Sequence, residues 1–301
     1  MWERTNLSSS KRCIIVLLLL SACAPPVTLH QRHFVVTIHP LQAILAKVVS
    51  PRAEVTRLLP PGVSPHTYDP RPSDARATET ALALAYVSPE LDAWAANLPT
   101  RQRLELLSFL PKTFRLPAVE ADKKRGNANG DLNQIDPHFW LDPLSVKAIL
   151  PDLTKRFCDI DPGGKKTYEE NADRFSKELS ALNDELSRTL APVKGHAVVL
   201  VHPSMRYFLK RYGLKVAGYI EPLPGKEPSP RYLTALINRV KSEHVKAVFT
   251  EPQLSDKAAK TVADAAGINV FELDPIGGVA GRVGYAALLR YNARILLKAL
   301  Q

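Results

Sequence analysis

Three histidines and two carboxylates stand out for their surroundings: His66 in "LLPPGVSPHTYDP", His138 in "DPHFWLDP", His202 in "VHPSM", Glu251 in "FTEPQ" and Asp274 in "ELDPIGG". Proline lies next to each or one residue away, and proline removes backbone freedom, so these side chains can be held in place at little further entropic cost. Taken singly, each has an ordinary explanation. A histidine at a strand end commonly hydrogen-bonds in a loop, and an acid before proline commonly makes a turn or a cap. Taken together, three imidazoles and one or two carboxylates suit zinc, and also manganese or iron. Cys158 has no second usable cysteine beside it, which excludes a thiolate site. His30, His33, His39, His196 and His244 show how many histidines here have everyday roles. His39 is the closest rival because it also follows a strand, but the adjacent Pro40 marks the start of a helix. No short motif such as HExxH joins the candidates, so convergence has to come from the fold.

The elements that would position them alternate in type. Apolar, β-branched runs at 33–38, 54–59, 82–88 and 104–109 read as four strands, and those at 197–202, 215–220, 246–251 and 269–274 as four more. Helical patterns separate them, which predicts an α/β fold of two lobes, each with a four-stranded, mainly parallel sheet. Tyr168, Ala172, Phe175, Leu179, Leu182, Leu186 and Leu190 recur at three- and four-residue steps and predict one long, rigid connecting helix that ends before Pro192. The expected organisation is a lobe over 33–162, a connecting helix over 163–192 and a second lobe over 193–301. His66, His202, Glu251 and Asp274 then all follow strand ends, where open parallel sheets collect ligands. A second helix starts near Pro143, just after His138. The stretch "VEADKKRGNANGDLNQ" (119–134) reads as a flexible polar loop.

The first 22 residues read as a signal peptide, with Arg4, Lys11 and Arg12 ahead of the apolar run "CIIVLLLL". The run ends in "LSAC", which resembles the lipobox of bacterial lipoproteins and makes Cys23 the expected lipidated residue, followed by a tether over 23–32. The formal charge is +10, and removing Glu3, Arg4, Lys11 and Arg12 leaves about +8. The basic residues are dispersed, with "KKR" at 123–125 the densest cluster and no aromatic interleaving, so nucleic acid is not an expected partner. Without disulfides, an exported chain of 301 residues must rest on its hydrophobic core.

From about residue 33 to the C-terminus, the sequence resembles the cluster A-I (TroA-like) solute-binding proteins of bacterial ABC importers for zinc and manganese. The likeness rests on "LLPPGVSPHTYDPRPSD", "DPHFWLDP", "VHPSMRYFLKRYGL" followed by "GKEPSP", and "VFTEPQ" with "FELDPIGG". It implies two α/β lobes bridged by a rigid helix, with one metal at their interface. Carried over, the family's ligands fall on His66, His138, His202 and Asp274, with Glu251 as a supporting group or substitute ligand. Pro65 before His66 closes the option of a carboxylate there. The family's zinc-specific members often carry a histidine-rich loop ahead of the second metal histidine, and 119–134 has no histidine. His202 at the third ligand position favours zinc, since manganese-specific relatives often have glutamate there. The resemblance also implies an exported, lipid-anchored monomer at a bacterial membrane, partnered by an ABC permease. Two rival readings are a metal-dependent hydrolase with Glu251 as general base and a surface adhesin.

Overall fold

The computed structural model describes residues 2, 32–119, 135–222 and 228–301. The leader, Cys23, nearly all of the tether and nearly all of the 119–134 stretch lie outside the described residues. Among the described residues no helix is long and apolar enough to cross a membrane.

Among the described residues there are two four-stranded sheets, both entirely parallel. The first contains β1 (His33–Val36), β2 (Glu54–Arg57), β3 (Ala83–Tyr86) and β4 (Arg103–Glu105), in the order β2-β1-β3-β4. The second contains β5 (Ala197–Leu200), β6 (Lys215–Tyr219), β7 (Ala247–Thr250) and β8 (Asn269–Glu272), in the order β6-β5-β7-β8. The second sheet therefore repeats the topology of the first. Every strand is shorter than the apolar run that predicted it. The clearest case is 104–109, where the strand stops at Glu105 and Leu106–Phe109 turns into a 3-10 helix that buries Leu106 and Leu107.

The helices of the first lobe are α1 (His39–Val49), α2 (Pro72–Thr80), α3 (Pro89–Asp92) and α4 (Pro143–Ile160). All four carry proline in the first turn, where its missing N–H costs nothing. The connecting helix α5 (Lys165–Leu190) buries all seven of the residues that predicted it and ends just before the Ala191–Val193 turn that contains Pro192. The second lobe adds α6 (Arg206–Arg211), α7 (Pro230–Ser242), α8 (Lys257–Ala266) and α9 (Tyr285–Leu300).

The central strands are covered on both faces, so alternate residues enter different cores. Phe34 and Val36 face inward and Val35 outward; Val198 and Leu200 face inward, Val199 and Val201 outward. The inward sets of both sheets join α1, α4, α5 and α9 in one continuous apolar core. The helix α5 lies against α1 and α4 of one lobe and α9 of the other. Each leucine it buries contributes about 1.5–3 kcal/mol, so the lobes are held by a shared core and not by a loose hinge.

Candidate metal centre

The loop after β2 is built from two successive turns. Pro61 and Gly62 occupy the corners of the first, with Gly62 at φ +77°, the left-handed position that glycine fills without strain. The second runs Ser64–Thr67 with Pro65 at its first corner, so His66 is set by proline geometry. Trp94 Nε1 donates to the Pro65 carbonyl at 2.9 Å. The Tyr68 ring meets the Trp94 ring edge-on at 4.9 Å, and the Tyr68 hydroxyl donates to Asp74 at 2.7 Å. The histidine is thereby braced on both sides.

His138 is oriented by its neighbour two residues back. Asp136 Oδ1 accepts from the His138 backbone N–H at 3.0 Å and from its ring Nδ1 at 2.8 Å. A ring that donates through Nδ1 presents its lone pair at Nε2. Asp136 is in turn held by Arg206 Nη1 at 3.1 Å and, through its carbonyl, by the Tyr207 hydroxyl. His202 follows β5 and leads into the short Pro203–Met205 turn of helix. Neither of its ring nitrogens has a hydrogen-bond partner, and His66 Nε2 also lacks one, although all three atoms are buried.

The three rings converge. Their centroids lie 5.7 Å (His66–His138), 5.1 Å (His66–His202) and 5.3 Å (His138–His202) apart. One nitrogen from each falls within 4.8 Å of the others. In a tetrahedral zinc site the ligand nitrogens stand about 3.3 Å apart, so a modest contraction would complete such a set. They line a cavity of ≈ 20 Å³ together with Ser204, Glu251, Gln253, Pro275 and Ile276, room for one ion or one water. Burial lowers the His66 imidazole to about 3, with His138 adding to the shift. Burial also holds His202 well below its usual range, and both neighbouring imidazoles deepen the effect. These two rings are neutral at physiological pH, which is the state that binds a cation.

The two carboxylates are placed differently from one another. Asp274, expected as the fourth donor, commits both oxygens elsewhere: Oδ1 accepts from Ile276 N (3.0 Å), Gly277 N (2.9 Å) and Gln253 Nε2 (3.3 Å), and Oδ2 pairs with Arg282 Nη1 (3.0 Å). Glu251 is the carboxylate that lines the cavity. It accepts from the Ser204 hydroxyl, and burial, reinforced by the charge of Asp274, pushes it up to about 8, so it is protonated at neutral pH. His39 starts α1 as expected, and its Nε2 donates to the Val283 carbonyl at 2.6 Å.

Sequence reasoning missed four supporting residues. Asp136 could have been found, because Asp-Pro-His is the spacing at which an Asp side chain reaches the N–H two residues on. Ser204 follows His202 closely enough to have been suspected. Trp94 and Arg282 carry no such local signal.

Residues 34–299 match the family described as ZnuA, zinc-uptake complex component A periplasmic. The high-affinity zinc uptake system protein ZnuA of Brucella abortus (strain 2308) is 27% identical over 278 residues, covering 81% of this chain and 83% of that protein. The protein of the same name from Bacillus subtilis (strain 168) is 25% identical over 279 residues, covering 89% and 87%. A crystal structure of a ZnuA deletion mutant with zinc bound aligns at a TM-score of 0.75 and 29% identity, covering 90% of this chain and 98% of that one. With the family match spanning both sheets and the connecting helix, the chain belongs to the ZnuA family of periplasmic zinc-uptake components.

Proposed function

We propose that this protein captures one divalent transition metal outside the cytoplasm, zinc before manganese, and hands it to the membrane permease of an ABC importer. The observation that carries this reading is the set of buried, unpartnered imidazole nitrogens around a cavity of ≈ 20 Å³. His66, His138 and His202 serve as donors, and Glu251 or a solvent molecule takes the remaining position. Three imidazoles favour zinc by ligand type, and manganese stands lowest in the general affinity order of the first-row divalent ions. Because the two depressed imidazoles are already uncharged at neutral pH, each keeps one N–H and offers its other nitrogen, and the cation displaces no ionising proton from them on binding.

The ligands come from both sides: His66 and His138 belong to a lobe over 33–162, and His202 to one over 193–301, with 163–192 between them. The shared core along α5 opposes wide opening, so release to the permease proceeds by small shifts of the donor loops. A cavity of this size has no space for an organic substrate beside the ion, which argues for carriage and against hydrolysis. The protein acts as an exported monomer anchored through lipid on Cys23, periplasmic or at the cell surface.

Elemental analysis of protein purified without added metal, followed by competition titration, tests the reading. One zinc per chain, outcompeting manganese, is the expected result. Manganese binding as tightly as zinc would overturn the zinc assignment, and absence of any stoichiometric divalent metal would overturn the site.

A further inference from the structure

We infer that Arg282 is a positioning residue for metal selectivity: it holds Asp274 out of the coordination sphere and leaves the site a three-imidazole site. This rests on the reading of His66, His138 and His202 as the metal donors.

Asp274 is close to the centre without taking part in it. Its successors Pro275 and Ile276 line the cavity, and so does Gln253, which donates to its Oδ1. Two backbone N–H groups also bind Oδ1, and Arg282 takes Oδ2 at 3.0 Å. The carboxylate is only 3% exposed, so solvent does not compete with these partners.

Arg282 is itself fixed from several directions. Its guanidinium stacks on the Tyr291 ring at 4.4 Å and reaches Glu272 Oε1 at 3.3 Å. Its backbone closes a turn, with Arg282 N donating to the Val279 carbonyl at 2.9 Å and Gly278 N donating to the Arg282 carbonyl at 3.0 Å. Gly277 permits that closure: at φ +69°, a Cβ there would lie 2.8 Å from the Arg282 oxygen. The loop after β8 thus folds back and sets a cation on Asp274, a carboxylate that, unlike the protonated Glu251, would otherwise bring a full negative charge towards the donors.

The consequence follows from ligand chemistry. A carboxylate added to three imidazoles helps a hard, oxygen-seeking cation such as manganese more than it helps zinc, which the imidazoles already serve. Arginine suits the task because its planar, permanently charged fork binds carboxylate in a fixed direction. Releasing Asp274 should therefore narrow the preference for zinc by raising manganese affinity.

Competition titrations with zinc and manganese on the full chain test this with R282M, R282K and the double variant R282M/D274N. R282M should bind manganese about tenfold or more tightly than the wild type while zinc affinity stays within about threefold. R282K, which keeps a positive charge beside Asp274, should retain most of the wild-type preference, and D274N added to R282M should abolish the manganese gain. Unchanged manganese affinity in R282M, or a gain that survives D274N, overturns the role of Arg282. If R282M does not fold, a crystal structure of the zinc-loaded wild-type protein decides: Asp274 still paired with Arg282 supports the inference, and an Asp274 oxygen on the zinc defeats it. Wild-type protein that takes up no zinc would overturn the metal centre and this inference with it, whereas normal zinc uptake with an unaltered R282M selectivity removes only the inference.

Discussion

His39 and His202 occupy equivalent places in two lobes of the same topology. Each follows the first strand of its sheet, β1 or β5, at the carboxyl end where strand order reverses. Yet His39 Nε2 is taken by the Val283 carbonyl, which belongs to the loop after β8 in the other lobe, while both nitrogens of His202 are buried without a partner. A strand-end position thus makes a histidine available, and the partner of its ring nitrogen decides whether it can serve as a ligand. The same contrast extends outward from these two residues. The N-terminal lobe orients its proposed donors with dedicated groups, Trp94 beside His66 and Asp136 beside His138. The C-terminal lobe holds His202 mainly by burial, with the Glu221 backbone beside its ring, and keeps the carboxyl groups nearest the centre occupied, Glu251 with Ser204 and Asp274 with Arg282.

Removing the imidazoles breaks this comparison most severely. His202→Ala, and likewise His66→Ala or His138→Ala, should weaken zinc binding by more than about 100-fold, because three donors leave no redundancy. His39→Ala should leave zinc affinity unchanged and cost about 1 kcal/mol of stability for its lost hydrogen bond. Chelator-competition titration and thermal unfolding of all four variants give both readings; a zinc defect in His39→Ala would erase the distinction between the two positions.

The dedicated supports come next. Asp136→Ala frees the His138 ring and should cost about 10–100-fold in zinc affinity, the usual range for a group that orients a ligand. Equal zinc affinity in this variant and the wild type would show that burial suffices to orient His138.

The carboxyl group of Glu251 makes a claim about pH. Its folded value of about 8 lies above the ordinary 4.5, so between those values the folded protein holds a proton that the unfolded chain has released. Stability from this group is therefore fully present below pH 4.5 and is lost as the pH rises through 8. His66 and His202, with folded values below 6.5, act in the opposite sense only at lower pH. From pH 6.5 to 8 the metal-free protein should accordingly lose up to about 2 kcal/mol, and Glu251→Gln should flatten that loss. Denaturant melts across this range check it, and a slope that persists in Glu251→Gln would place the titrating group elsewhere.

The smallest expected effect sharpens the comparison on the N-terminal side. Trp94→Phe keeps the ring beside Tyr68 but removes the bond to the Pro65 carbonyl. It should raise the zinc dissociation rate by about two- to tenfold, the worth of one hydrogen bond. Stopped-flow release into a chelator measures this, and an unchanged rate would assign the bracing of His66 to its prolines alone.

Much of this architecture is written locally. The continuous apolar runs "HFVVTI" and "AVVLVH" follow from strands covered on both faces, and the α5 stripe from Tyr168 to Leu190 is one helix face, so covalent neighbours suffice to reveal them. "LELLSF" misled because an apolar run does not say whether its residues pair as a strand or turn inward, and the core accepted Leu106 and Leu107 from a 3-10 helix instead. Prolines announced the braced His66, His138 and His202 for the same local reason: they restrict the backbone beside them whatever the rest of the chain does. Pairing partners are another matter. Asp274 and Glu251 look alike in sequence, each an acid at a strand end before proline, and only the packed molecule separates them, by returning Arg282 onto one and leaving the other protonated against the cavity. A buried polar group must find its partner among whatever the tertiary fold brings near, so the identity of a donor is a local property while its freedom to bind is a property of the whole structure.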